Sequence, residues 1–568
     1  MTLGRAASQS TIYAAFVAGP LSDLRDAVVA ASGAVADAGS GGSPPAPTLE
    51  RPKRAGFGDY ATNAAMLLAP RAGVAPRDVA GRLAGELERL LGASLDRVEI
   101  AGPGFLNLFL SDAWYVTALA HVLAARDGFG GASADPAERV NVEFVSANPT
   151  GPMTAAGGRH AAYGDSLARL LEFAGHDVTR EFYINDIGGQ VRRLGESIQA
   201  RARGDAVPEG GYEGDYVLEL AERIPNADSD DVSVVAERGV QLLLEGIRAS
   251  MQAIGVEFDV WFSEGSLHSG EPSAVQHVFE QLEARGKTYR SEGALWLRSS
   301  AHGTGKDDVI ERSTGEPSYL ASDIAYHLDK LQRGFDRLID VWGADHHGHV
   351  APMYAAFEAL SAPKDAIELV IMQFVNLVER GERASMSKRR GDFVTLDDLI
   401  AQIGADAARF FMLQRSHDTM VDLDLDLARE QSNDNPVYYV QYAHARIASI
   451  LKKAGAASVD AALDAAPQFG GTLDPAERTL VKKLLAFPDE VAEATQRRAP
   501  HKVAAYALEL AQTFTAFYRD CHVVGAEGAG VEAFRLALSV ATKQTIARSL
   551  DLLGVGAPEQ MSREAQPS

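Results

Sequence analysis

The stretch Val140–Gln190, VNVEFVSANPTGPMTAAGGRHAAYGDSLARLLEFAGHDVTREFYINDIGGQ, decides how the rest of the chain is read. Val140, Val142 and Phe144 alternate with Asn141 and Glu143, the period of a strand with one apolar and one polar face. Asn148-Pro149-Thr150-Gly151-Pro152 stops that strand, and Leu167, Leu170, Leu171 and Ala174 then recur at helical spacing before a second strand. A strand, turn, helix and strand in this order predict a parallel α/β unit whose helix N-terminus can receive phosphate.

Outward from this unit, 568 residues are enough for three or four domains with separate cores. A composition of 46% hydrophobic and 23% charged residues is that of a soluble globular protein. The formal charge of −23 repels phosphate unless basic residues are grouped. From Pro436 onward, basic and acidic residues balance, with pairs at Lys452-Lys453, Lys482-Lys483 and Arg497-Arg498, so the acidic excess belongs to the rest of the chain. Cys521 is the only cysteine, which excludes an internal disulfide and any cysteine-based zinc site. Neither a signal peptide nor a run of about 20 apolar residues is found, so the expectation is a cytoplasmic protein without a membrane partner.

Residues 11–31 and 77–92 read as helices, and Val98–Ile100 and Phe105–Leu110 as strands around the Gly102-Pro103-Gly104 turn. Ala31–Pro47, rich in Ala, Gly, Ser and Pro, reads as a flexible loop. A long insertion is expected over about 195–300, folded because Val234–Ile254 has a helical pattern. Arg337–Gly343 reads as a buried strand, helices resume at Leu396 and dominate from Val437 to Leu553, and Met561–Ser568 reads as a frayed tail.

Three motifs in order carry a family resemblance: the SANPTGP segment with its helix, Ser385-Met386-Ser387-Lys388-Arg389-Arg390-Gly391, and NPVYYVQYAHAR at Asn435–Arg446. Together with GFGDYATNAAM and EIAGPGFLNLFL near the N-terminus, they make the chain resemble the bacterial arginyl-tRNA synthetases, class I aminoacyl-tRNA synthetases, over nearly its whole length. The resemblance implies a Rossmann-like α/β catalytic domain over 137–395, containing the insertion. It also implies a small α/β domain over 1–115 that touches the tRNA elbow, a linker over 116–136, a connecting region over 396–435 and an all-α anticodon-binding bundle over 436–568. One departure stands out: where the family carries His-x-Gly-His, this chain has Thr154-Ala155-Ala156-Gly157. His160, three residues beyond Gly157, falls on the same helical face about one turn later and is the candidate substitute for the missing phosphate-binding histidines.

Further site residues follow from the resemblance. Glu143 and Asn148 would hold the α-amino group and orient arginine, although by local pattern alone they are a strand carboxylate and a turn asparagine. Tyr319 and Asp323, four apart on one helical face, match a pair that reads the guanidinium. Thr154, Gly157, Gly158, Gly343, Asp345, His346 and Met386 are expected about ATP. Lys388 is the mobile cation for the pyrophosphate leaving group, with Ser387 beside it. His346, His347 and His349 invite a metal reading, but further ligands are lacking and no metal is expected. Tyr442 and Arg446 suit stacking of unpaired tRNA bases, although the same spacing also builds a bundle core.

The expected activity is ligation of arginine to tRNA. L-arginine, ATP with Mg2+ and tRNA(Arg) are the substrates, there is no permanent cofactor, and the chain acts as a monomer. The rival is a paralogue that binds tRNA or arginine without charging, which the missing histidines allow. A ligase of the same fold for another amino acid is a third reading.

Overall fold

The computed structural model describes residues 19–36, 46–52, 56–383 and 394–561. Its N-terminal unit begins with α1 (Pro20–Ala36), continues through β1 (Leu49–Glu50), β2 (Tyr60–Thr62), α2 (Ala64–Ala72), α3 (Pro76–Leu91), β3 (Leu95–Ala101) and β4 (Phe105–Leu110), and closes with α4 (Asp112–Ala125). The four strands form an antiparallel sheet in the order β1-β2-β4-β3. Pro20 and Pro76 each open a helix, where a missing N–H costs nothing. The loop expected from Ala31 is corrected in part: α1 continues to Ala36, with Ala31 and Ser32 buried, and residues 37–45 lie outside the described residues. Burial of that face outweighs the small-residue composition on which the loop was read.

The central unit is a five-stranded, wholly parallel sheet in the order β12-β11-β5-β6-β7. In chain order it comprises β5 (Arg139–Glu143), α5 (Ala155–Ala174), β6 (Asp177–Ile184), α6 (Gly189–Arg203), α7 (Asp215–Arg223), α8 (Val232–Ala253), β7 (Val260–Ser263), α9 (Ala274–Ala284), the hairpin strands β8 (Thr288–Ser291), β9 (Ala294–Leu297) and β10 (Asp308–Glu311), then α10 (Tyr319–Gln332), β11 (Arg337–Gly343), α11 (Val350–Leu360) and β12 (Ile367–Met372). The chain leaves β5 toward β6 on one side and returns on the other at β11. The C-terminal ends of β5 and β11 therefore flank the crevice where open α/β sheets bind ligands.

Two expectations change here. The single insertion over about 195–300 resolves into a helical part, α6–α8, and a separate three-stranded antiparallel sheet, β10-β9-β8, because Val260–Ser263 between them is an edge strand of the main sheet. Nor does β5 have a solvent-facing polar side: as the central strand it is covered on both faces, and Asn141 and Glu143 are as buried as Val140 and Val142. Helix α5 lies close on β5, since a Cβ at Gly164 would run into the Phe144 ring.

A small sheet of β13 (Val375–Glu379), β14 (Glu382–Arg383) and β15 (Val421–Asp424) follows, with α12 (Leu396–Ile403) and α13 (Ala405–Leu413) inside it and α14 (Leu425–Arg429) after it. The rest is helical: α15 (Pro436–Ala454), α16 (Ala456–Ala465), α17 (Pro475–Leu484), α18 (Phe487–Gln496), α19 (His501–Asp520) and α20 (Val531–Leu552). A buried joint ties this bundle to the sheet. Arg409 of α13 bonds Asp165 of α5 and donates to the Leu553 carbonyl at 2.9 Å. Among the described residues, no helix is long and apolar enough to cross a membrane.

Candidate active site

Beneath the crevice lies a buried ionic cluster. Lys330 of α10 donates to Glu143 and to Asp340 of β11, both at 2.8 Å. His327, one turn before Lys330, donates Nε2–H to Asp340 at 2.5 Å and Nδ1–H to the Asp323 carbonyl at 2.6 Å. Both ring nitrogens face acceptors, so the ring is an imidazolium. Burial opposes that charge most strongly, yet the Asp340 carboxylate outweighs it and raises the pKa. Lys330 and His327 thus face Glu143 and Asp340: they hold Asp340 below the usual carboxylate range against its burial, while burial outweighs Lys330 and pushes Glu143 up. Glu143 is only 5% exposed and engaged by Lys330, so it is not the solvent-facing carboxylate that the strand pattern alone suggests.

Two further carboxyls at the same edge have no lysine or arginine within 4 Å among the described residues; Glu264 meets His268 at 3.9 Å, whose ring burial pushes toward the neutral form. Asp323 of α10 is pushed up to about 7 by burial first, with Glu143, Glu264 and Asp340 adding to the rise against the opposing His327. Glu264, on the short 3-10 turn Glu264–His268 after β7, is 4% exposed and also raised to about 7, chiefly by burial and then by Asp186, against lowering contributions from Ser322 and Tyr183. Its Oε2 and the Tyr183 hydroxyl are both buried, with no hydrogen bond of 3.5 Å or less among the described residues, although each lies close enough to the other to influence its titration. Tyr183, Phe262 and Tyr326 pack ring against ring at 4.6–6.1 Å and wall this side. An edge with two carboxyls raised to about 7 beside an aromatic wall suits a planar, multiply donating cation. Tyr319, four residues before Asp323, is 55% exposed and stands at the rim.

The link from β5 to α5 is strained. Val145 and Ser146 have φ of 71° and 32°, a region that a β-branched residue rarely adopts and that costs about 1–3 kcal/mol per residue. The bend aims Asn148 across to Gln190, whose Oε1 accepts from its Nδ2 at 3.1 Å. Ser146 Oγ accepts from Tyr183 N–H at 3.1 Å, which fixes the bend to β6.

At the start of α5, Thr154 is the N-cap and its hydroxyl accepts from Gly157 N–H at 3.3 Å. Ala155 N–H donates to Val394 at 3.0 Å and Leu396 N–H to Met153 at 2.9 Å, so the helix start is clasped to the segment that precedes α12. Gly157 and Gly158 were expected to front the nucleotide. The space a Cβ would take is filled by Met153 at the first and by Leu396 and Met412 at the second, so their small size serves packing. At His160 burial, the largest influence, drives the imidazole down to about 4, which favours the neutral ring. It lies against the Val341 carbonyl, within electrostatic reach of Asp345 and His346. Gly343 ends β11, and Asp345 folds back over it in the 3-10 turn Ala344–His349. His160, Asp345 and His346 therefore share the β11 edge of the crevice, while Asp323 and Glu264 lie toward β6 and β7. Ser385, Met386, Ser387 and Lys388 lie outside the described residues.

On α15, Tyr442 stacks on Tyr438 with centroids 6.1 Å apart, and the exposed Arg446 lies over Tyr442 and over Tyr518 of α19. His444, beside them in sequence, is buried and donates to the Pro558 carbonyl at 2.9 Å.

Glu264 and Tyr183 were not found by sequence reasoning. Glu264 belongs to no motif, and only the pairing of β7 with β6 brings it opposite α10.

Three family models cover the chain. They are the arginyl tRNA synthetase N terminal domain at residues 22–110, the tRNA synthetases class I (R) catalytic domain at 119–207 and 219–448, and the DALR anticodon binding domain at 440–561. An arginine–tRNA ligase of Caldanaerobacter subterraneus is 44% identical over 529 residues, covering 90% of this chain and 93% of its own. One from Moorella thermoacetica is 45% identical over 531 residues, with the same shares covered. The solved arginyl-tRNA synthetase of Thermus thermophilus has the same fold, with a TM-score of 0.73 at 24% identity over 95% of this chain and 99% of that one.

Proposed function

This chain belongs to the arginyl-tRNA synthetases, class I enzymes that ligate arginine to tRNA at the expense of ATP, and from that premise we propose how its residues divide the work. Asp323 and Glu264 receive the guanidinium. The observation that carries this assignment is that Lys330 and His327 are already engaged with Glu143 and Asp340, whereas Asp323 and Glu264, without lysine or arginine partners among the described residues, are pushed up to about 7, by burial first. Arginine supplies a cation and becomes selected by it, since a neutral or shorter side chain leaves two buried carboxylates unpaired. Tyr319 covers the rim, and Asn148 orients the α-amino and carboxylate end, with Glu143 supporting the strand end through Lys330.

ATP enters with Mg2+ on the α5 and β11 side, beside Thr154, Gly343, Asp345 and His346. The arginine carboxylate attacks the α-phosphorus in line, pyrophosphate leaves, and a hydroxyl of the terminal tRNA ribose then takes the arginyl group while AMP departs. Neither step needs a covalent enzyme intermediate; positioning and charge stabilisation suffice. Neutral His160 contributes as a hydrogen-bonding ring, and the cationic part falls to Lys388 as pyrophosphate leaves. The α/β unit at the N-terminus meets the tRNA elbow, and Tyr442 and Arg446 meet unpaired bases. The reading includes a monomer in the cytoplasm.

Charging of total tRNA with each amino acid in turn tests this. Arginine alone should be attached. No attachment at micromolar enzyme would favour a paralogue that binds without charging.

A further inference from the structure

The His327 ring joins the guanidinium recess to the ionic cluster beneath it. It stands on α10 one turn after Asp323 and is 1% exposed. Nε2–H donates to one oxygen of Asp340 at 2.5 Å while Lys330 takes the other at 2.8 Å, so this β11 carboxylate is shared between two cations of α10. Nδ1–H turns back to the Asp323 carbonyl at 2.6 Å. The remaining walls are rings: Tyr326 of α10, Trp342 of β11 and Phe357 of α11 pack around the imidazole with centroids at 5.7–6.5 Å.

Helix packing alone does not call for either bond. A carbonyl inside an α-helix already accepts from the backbone N–H four residues on, so the Asp323 carbonyl, within α10, needs no second donor. Replacing a buried ion pair by apolar side chains of similar volume is often neutral or stabilising, so stability does not account for a charged ring here. What the charge faces is more telling. Around the Asp323 carboxyl, Glu143 of β5, Glu264 of the turn after β7 and Asp340 of β11 oppose ionisation, and the Tyr183 hydroxyl of β6 is in electrostatic contact with it. His327, on the same helix, is the cation that favours ionisation.

We propose that His327 is a positioning residue for arginine use: gripped by Asp340, its imidazolium fixes the Asp323 peptide against β11 and readies the Asp323 carboxylate for the guanidinium. The proposal rests on the assignment of Asp323 to the guanidinium above, and adds the residue through which β11 governs that carboxylate. His327 acts through Asp323 and not on arginine itself. A neighbouring opposite charge lowers a carboxyl by about one to three pH units, and its removal gives that back. A carboxyl so raised ionises only at higher pH, so without the imidazolium the use of arginine should move to more alkaline solution.

The test compares the full chain with His327→Gln in tRNA charging from pH 6 to 9.5, with kcat and KM measured separately for arginine and for ATP. Glutamine keeps a donor and loses the charge. For the unaltered protein, kcat/KM for arginine should rise through about 7, where the Asp323 carboxyl ionises. In His327→Gln the rise should lie at least about one pH unit higher, a tenfold or greater deficit at pH 7 that narrows toward pH 9.5, with KM for ATP unchanged. A deficit equal at every pH, a matching rise in KM for ATP, or a parental profile would overturn the proposal. Should the variant fail to fold, 15N spectra of the histidine-labelled parent decide: one ring of the fourteen should stay doubly protonated at pH 9 and shift when saturating arginine is added. No such ring, or one blind to arginine, would overturn the proposal as well. Asp323→Asn separates failure of the underlying assignment: full use of arginine by that variant sinks the recess itself, whereas its loss beside a parental His327→Gln profile sinks only the role of His327.

Discussion

Asp323→Asn should make the unliganded protein more stable at pH 8 while removing its use of arginine. In the folded chain Asp323 is held at about 7 instead of its ordinary 3.8. Between these values the folded state binds more protons than the unfolded state, so stability falls as pH rises through the window and the loss is complete above about pH 7. The ceiling on that loss is about 4 kcal/mol. Even half of it, about 2 kcal/mol, moves the melting of a domain this size by about 4–8 °C. Asparagine carries no charge and should recover part of it at pH 8 and little at pH 5. Saturating arginine should raise the melting temperature of the unaltered protein more at pH 8 than at pH 5.5, because binding needs the ionised carboxylates, and should leave the variant unmoved. Loss of one partner of a buried charge-assisted pair costs about 3–5 kcal/mol, so kcat/KM for arginine should drop about 10²–10⁴-fold with little change in the KM for ATP. Thermal unfolding from pH 5 to 8 with and without arginine, together with charging kinetics, measures all of this. A variant that charges arginine normally, or is no more stable than the parent at pH 8, refutes the assignment of Asp323 to an unneutralised guanidinium recess.

Lys388→Ala should slow adenylate formation by about 10²–10³-fold, whereas His160→Ala should act more mildly and without titrating between pH 5 and 8, because the ring is already neutral; a His160-dependent inflection near pH 6.5 in single-turnover rates would contradict its burial. Lys330→Met should destabilise the chain by about 3–5 kcal/mol by leaving Glu143 and Asp340 buried without their ammonium, and an unchanged melting temperature would show the cluster to be dispensable. Tyr442→Ala and Arg446→Ala should raise the KM for tRNA while leaving those for ATP and arginine as they are; equal rises in all three would place the pair in the bundle's stability alone.

What was legible in the sequence was local. The alternation in β5, the periodic face of α5, the apolar run of β11 and the helices from Leu396 onward each follow from residues close in the chain, and each forms near its expected bounds. What was not legible was set by partners far away. Glu143 looks like the outer face of an alternating strand until Lys330, 187 residues on, is brought beside it, and nothing in residues 140–144 says that the strand will be central. Glu264 follows a four-residue edge strand inside what reads as an insertion, so its carboxylate becomes significant only when β7 joins β6 and faces α10. The strained φ of Val145 has no sequence signal either, since valine is the residue least suited to it.

The replaced histidines at Thr154 and Gly157 bear on the same point. A helix start that had to bind triphosphate with its own N–H groups would be expected to leave them open, yet Ala155 donates to Val394 and Gly157 to the Thr154 hydroxyl. The start of α5 is therefore built as an anchor, with Val394–Leu396 clasped to it immediately after the residues that carry Lys388. With His160 neutral and the helix N–H groups largely engaged, the compensation for developing phosphate charge is left to groups brought in from outside the helix. Lys388 and the metal ion that accompanies ATP have the charge for it. On this reading the loss of the two motif histidines makes adenylate formation depend more steeply on Lys388 than on any group of α5, and the comparison of Lys388→Ala with His160→Ala measures that dependence directly.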